Sequence, residues 1–237
     1  MRGVGPAVVL AALVVTCGRA NGDATALSRR SGVEVARVVV VAPVRREAGS
    51  GPLVRLLATH TSWGGSPQQL LVLGSRVGSN GRQWLRVRLP GRPNGSSGWI
   101  PRDAVVVHRV HWRIDVSLSR RVVRVFHDGV LVRRIRAVVG KSATPTPTGL
   151  FAVYELDRQP DRGGFLGPWV IQLTAFSDVL DDYGGGPGRV AIHGRGGASL
   201  ADPLGTARSH GCIRIDNAEV LWLARTVVAG TPVRIHA

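Results

Sequence analysis

The stretch SHGCIRI, residues 209–215, sets the problem that the rest of the chain must answer. Its Cys212 is one of two cysteines in 237 residues, the other being Cys17. A thiol with an ordinary pKa near about 8.5 is only slightly ionised at neutral pH, and an adjacent imidazole can take its proton, hold an ion pair and lower that pKa. Two histidines are placed to do so: His210, two residues upstream, and His193, nineteen residues upstream. His210 and Cys212 share a face if the chain is extended, but not necessarily on a turn. His193 ends the apolar run RVAIHG, where a strand terminus would aim its ring rigidly. The intervening GRGGASLADPLGTAR is glycine-rich and can fold back to bring the two ends together. Gly211 admits backbone angles closed to other residues and lets a substrate approach. The Gly211 and Cys212 amides could then face an oxyanion, a contact worth about 3 to 4 kcal/mol per donor in acyl-transfer sites.

Other readings compete. Cys212 could be a buried inert thiol, which its flanking His and Gly argue against. His193, His210 and Cys212 could bind zinc, but no paired-ligand spacing such as C-x-x-C is present. Ser209 as a nucleophile would lack the Gly-x-Ser-x-Gly turn.

Around this centre the chain reads as mainly β. DNAEVLWLARTVVA, residues 216–229, predicts a helix beside the site, with Asp216 as N-cap and Val220, Leu221, Leu223, Ala224, Val227 and Val228 at helical spacing. Upstream, WRIDVSLSRRVVRVFHDGVLVRRIRAVVG predicts three alternating strands, the last two joined by a tight turn at Asp128-Gly129. KSATPTPTGLFAVYE, GPWVIQLTAF, GRVAIHG and TPVRIHA add further strands, so residues 110–237 form one β-rich domain with a single helix. Residues 35–108 are short β-branched runs separated by Gly, Pro, Asn and Ser, which predicts a small N-terminal β-barrel.

The first 22 residues carry one early arginine and an apolar run too short to span a bilayer, as a signal peptide does. VVTCG resembles a bacterial lipobox, in which Cys17 would be lipidated, although Thr16 departs from the usual small residue. The other reading is a plain secretory signal. Both place the protein outside the cytoplasm, in the cell envelope, with membrane contact only through the signal or a lipid anchor. Residues 23–34 read as a linker. With Cys17 consumed by processing, no disulfide framework remains.

The net charge is +16, and Lys141 is the only lysine. Such a surface attracts polyanions, including the phosphates and carboxylates of wall polymers. The arginines are scattered, and no helix-turn-helix, zinc-finger or stacking-platform pattern accompanies them, which argues against nucleic acid.

Taken together, IHG, a glycine-rich stretch and SHGCIRI resemble the active-site signature of the L,D-transpeptidase family, the YkuD-like catalytic domain. GKSATPTPTGLF and GPWVIQL extend the resemblance over residues 111–236. It implies Cys212 as nucleophile, His193 as general base, and the backbone carbonyl of Gly194 orienting the imidazole. It places His210 and Gly211 on the oxyanion and substrate side, and Arg214, Ser209 and Trp169 at the substrate. It implies no cofactor and no metal. The implied reaction is acyl transfer between peptidoglycan stem peptides, giving 3→3 cross-links through a cysteine thioester, with carbapenems as inhibitors. An L,D-carboxypeptidase of the same fold and a non-catalytic wall-binding protein are the alternatives. The segments QWLRVRL and GWIPRDAV, with Trp84 and Trp99, are similar to bacterial Src-homology-3-like domains. Trp63, Trp84 and Trp99 then read either as a groove for wall peptide or glycan, or as core.

Overall fold

The computed structural model describes Met1 and residues 32–237. The expected signal peptide with Cys17, and the linker up to residue 31, lie outside the described residues after Met1.

Seven strands make the first sheet: β1 (Val33–Val38), β2 (Ala42–Arg45), β3 (Leu53–Leu57), β4 (Gln69–Val77), β5 (Gln83–Arg88), β6 (Ser97–Pro101) and β7 (Val105–Val110). They pair antiparallel in the order β3-β2-β6-β5-β4-β1-β7. Alternation turns Ala36, Val38, Val44, Leu85, Val87 and Ile100, from four of these strands, into one apolar cluster. Two details depart from the sequence reading. VEVARVVVVAPVRRE breaks into β1 and β2 across the exposed Val39–Val41, and β3 appears where no strand was expected. It is an edge strand that exposes most of its residues, so it has no two-residue rhythm to read.

The second sheet is built from β8 (Trp112–Ser117), β9 (Val122–His127), β10 (Val130–Arg136), β12 (Gly149–Arg158), β13 (Trp169–Phe176), β14 (Arg189–His193), β16 (Ile213–Arg214) and β17 (Pro232–His236). Two short strands, β11 (Val139–Gly140) and β15 (Ala207–Ser209), pair separately in parallel. The eight-stranded order is β10-β9-β8-β17-β12-β13-β14-β16. Asp128 at φ +47° and Gly129 at φ +80° make the β9–β10 turn, as the Asp-Gly pair predicted.

One helix, α1 (Asn217–Thr226), packs on β13 and β14 through Val220 and Leu223. The Asp216 carboxylate accepts from the Ala218 amide at 2.9 Å and caps it. The helix stops three residues short of the expected end. Val227 and Val228 are β-branched and weakly helical, and the chain must reverse there into β17. Gly230, at φ +88°, makes that reversal, and the Thr231 hydroxyl accepts from the Val228 amide. Among the described residues no helix is long and apolar enough to cross a membrane.

The tryptophans of the first sheet divide. Trp84 is 4% exposed and belongs to the core, its indole N–H donating to Asn80. Trp99 is half-buried beneath the Arg76 guanidinium. Trp63 is 57% exposed and projects toward the second sheet's cavity.

Candidate active site

Strands β14 and β16 run parallel with Ile192 opposite Ile213 and His193 opposite Arg214. Because side chains alternate, the two isoleucines enter the core while Ala191, His193, Cys212 and Arg214 share the other face. All four line a cavity of about 400 Å³. This register explains how residues nineteen apart in sequence become neighbours: 194–208 loops out, and the chain returns alongside itself.

His193 is 1% exposed. Its Nδ1 lies 2.8 Å from the carbonyl oxygen of Gly194. A carbonyl can only accept, so Nδ1 carries the proton and Nε2 is the basic nitrogen. Burial, helped by the Arg214 charge, pushes the imidazole down to about 4, against the pull of backbone bonds to Gly194 and Leu166. Burial also pushes the Cys212 thiol above its ordinary range, with a backbone bond from Ala191 and the charge of Arg214 acting the other way. The sequence reading expected an ion pair with a lowered thiol pKa. Burial acts on both groups in the same sense, favouring the neutral thiol and the neutral imidazole over a resting ion pair.

The turn at Gly194 is braced by a residue the sequence reading missed. Asn217, first in α1, accepts from the Arg195 amide at 2.7 Å and donates to the Arg195 carbonyl at 2.8 Å. A Cβ on Gly194 would sit 2.3 Å from that same Asn217 oxygen, so only glycine fits. The available signal was the helix N-terminus itself, predicted one residue earlier at Asp216.

The loop that carries Cys212 is tied from within. Ser209 is fully buried; its hydroxyl donates to the Cys212 carbonyl at 2.5 Å and accepts from the Gly211 amide at 3.2 Å. It therefore shapes the turn and is not among the cavity-lining residues. The same bond engages the Gly211 amide, which the sequence reading had assigned to an oxyanion. Gly211 takes φ +116°, a conformation that favours glycine, and its carbonyl accepts from Thr146 at 2.8 Å. Thr144 donates to the Ser209 carbonyl. The proline-threonine segment seen in the sequence is thus the outer brace of the cysteine turn.

Arg214 is 3% exposed, paired with Asp202 at 2.6 Å and lying over the Phe165 ring at 4.7 Å. It borders the cavity, and its positive charge lowers the pKa of both histidines and of the thiol. His210 is exposed, stacked on Tyr183 at 5.2 Å and 3.4 Å from Lys141 Nζ; partial burial and the Lys141 charge lower its pKa. Trp169 does not line the cavity. It packs against the core, while Val170 and Gln172, one and three positions on, face the site. Strand alternation thus corrects the expected substrate contact by one residue.

A model of the L,D-transpeptidase catalytic domain, YkuD, matches residues 111–235. The chain is 37% identical over 126 residues to a putative L,D-transpeptidase YkuD of Bacillus licheniformis, covering 53% of this chain and 66% of that protein, just under two thirds of its length. It is 29% identical over 154 residues to the putative L,D-transpeptidase YkuD of Bacillus subtilis, covering 62% and 84%. Among solved structures, an L,D-transpeptidase from Mycobacterium tuberculosis H37Rv aligns over 85% of this chain and 98% of its own at 17% identity and TM-score 0.47. The Enterococcus faecium catalytic domain acylated by ertapenem aligns over 54% and 99% at 25% identity and TM-score 0.40. With the family model spanning His111 to Ile235 and including the β14–β16 pair and its cysteine turn, this chain belongs to the L,D-transpeptidase family through its YkuD catalytic domain.

Proposed function

We propose that the protein is a peptidoglycan L,D-transpeptidase that forms 3→3 cross-links through a Cys212 thioester. The observation that carries this reading is the buried neutral imidazole, fixed at Nδ1 by Gly194 and sharing a cavity face with the thiol. Such a pair transfers a proton at the moment of attack. His193 Nε2 takes the Cys212 proton as sulfur adds to the carbonyl of the third stem residue, then gives it to the departing D-alanine amine. In the second half, Nε2 takes a proton from the incoming amine of a neighbouring stem, and the thiol is regenerated as the new amide forms. The low imidazole pKa keeps the base free over the whole neutral range. Arg214 supplies fixed positive charge beside the developing oxyanion. With the Gly211 amide held by Ser209, the Cys212 amide is the remaining loop candidate for that oxygen.

Export to the cell envelope, with or without lipid on Cys17, belongs to the same proposal. It rests on the apolar N-terminal run and on a surface whose +16 charge would hold it near anionic wall polymers. Incubation with a disaccharide-tetrapeptide tests the reaction: cross-linked dimer with loss of D-alanine is expected. Tripeptide monomer alone would make the protein an L,D-carboxypeptidase, and no product with no Cys212 adduct from a carbapenem would favour a non-catalytic wall protein.

A further inference from the structure

The first sheet reaches into the site of the second. Glu155 of β12 is 1% exposed, and the groups that satisfy its carboxylate come from the loop between β3 and β4. Oε1 accepts from the Thr61 hydroxyl at 3.1 Å and the Ser66 amide at 3.3 Å, and Oε2 accepts from the Gly64 amide at 3.2 Å. A buried carboxylate must be bonded in this way, and charge-assisted bonds are among the stronger ones. The donors bracket Trp63, so this socket holds the loop that carries the indole. Isolated exposed hydrophobics need no explanation, but this one stands on a rigid mount and lines the cavity that contains Cys212 and His193.

A second clamp holds the segment that overhangs the cavity. Between β13 and β14 the chain runs through residues 177–188, with Tyr183 near its tip stacked on His210. Arg92, between β5 and β6, donates to the carbonyls of Ser177 at 3.1 Å, Leu180 at 2.8 Å and Pro187 at 3.0 Å, joining both ends of the overhang. Asn94 pairs with Phe176 as a neighbouring strand would, donating to its carbonyl at 2.6 Å and accepting from its amide at 2.9 Å. At the tip, Gly186 leaves room beside the Trp63 ring: a Cβ there would lie 3.5 Å from it.

We infer that the N-terminal sheet is a working part of the substrate site: Trp63 forms one wall that contacts the bound peptidoglycan fragment, and Arg92 with Asn94 holds the overhanging segment in its binding position. The inference deepens the proposed function and rests on it for the substrate class. A flat indole on an anchored loop beside an apolar cavity suits the hydrophobic face of a sugar or an aliphatic side chain, binding by area and shape without charge.

The test uses the full chain carrying Cys212→Ala, with binding of a disaccharide-tetrapeptide followed by calorimetry, so that no turnover is needed. Adding Trp63→Ala is expected to weaken binding about tenfold, Trp63→Phe to restore most of it, and Asn94→Ala to weaken it about threefold. In the enzyme with its cysteine, Trp63→Ala is expected to raise KM while leaving alkylation of Cys212 by iodoacetamide unchanged. Binding that ignores Trp63→Ala, or an alkylation rate that falls in step with it, would overturn the inference. If the parent binds the fragment and responds to Trp63→Ala but the intact enzyme makes no product, the catalytic reading fails and the binding wall stands. If the parent does not bind the fragment at all, the inference falls.

Discussion

On the floor of the cavity His193 and Arg214 are each no more than 3% exposed, with Ser209 buried in the turn behind Cys212, and each is held by its own sheet or the loop beside it. On the opposite side Tyr183 and Trp63 are 44% and 57% exposed, on segments fixed by side chains reaching between the two sheets. The floor is a strand ladder, in which backbone bonds set position to within a fraction of an ångström and burial sets protonation. The roof is a set of loops tied at a few points. Chemistry that needs one proton in one place belongs on the first kind of surface; recognition of a bulky polymer can use the second.

That contrast can be broken by experiment. The largest effect is expected on the floor: Cys212→Ala should abolish the covalent adduct seen by mass spectrometry with a carbapenem, and a surviving adduct would move the nucleophile elsewhere. His193→Gln should slow acylation of Cys212 by about 10²- to 10⁴-fold, measured by single-turnover kinetics. The wild-type rate should hold its dependence on a free base down to acid pH and fail only as pH approaches 4, where the imidazole charges. A kinetic pKa near the ordinary histidine value would refute the lowering of His193 by burial.

The same burial has a stability signature. In the unfolded chain His193 protonates near its ordinary value of 6.5, and in the folded chain at about 4. Between these values the unfolded state binds more protons, so folding stability rises with pH there and is lost as pH falls through the window. The loss is on the order of 3 kcal/mol. Chemical denaturation at pH 7 and pH 4 should show it in the wild type, and His193→Gln should flatten that part of the difference.

Smaller effects should follow from the bracing residues. Asn217→Ala removes two hydrogen bonds from the Gly194 turn and is expected to cost about 1 to 2 kcal/mol in thermal unfolding. It should also shift the acid limb of the rate profile, which a merely structural loss would leave in place. Smallest is the roof. Tyr183→Phe keeps the ring on His210 and loses only a 3.3 Å contact to its Nδ1, so a change in kcat/KM of about twofold or less is expected. A large loss would mean that the overhang takes part in proton handling, and the division between floor and roof would need redrawing.

Much of this was legible in the chain. Asp128-Gly129 marked its hairpin, Asp216 marked its helix, and the spacing around His193 and Cys212 marked a shared site, because turn chemistry, capping and strand alternation are local rules. Other features depended on tertiary placement. Trp169 and Val170 are neighbours in sequence on opposite faces, and which face meets the cavity depends on packing. Ser209 was open to two readings, a substrate contact or a bond within the loop, and with the Gly211 amide it bonds inward, to the turn itself.

The sequence by itself determined a β-rich chain with one helix, and its resemblance to the L,D-transpeptidase signature identified the family, since these follow from residue identity, strand alternation and capping. Only the tertiary structure decided the burial of His193 and Cys212, which favours their neutral forms, and the entry of Trp63 into their cavity. Protonation depends on how much water is excluded around a group, and Glu155 meets its donors from Thr61, Gly64 and Ser66 only when two sheets distant in sequence come together.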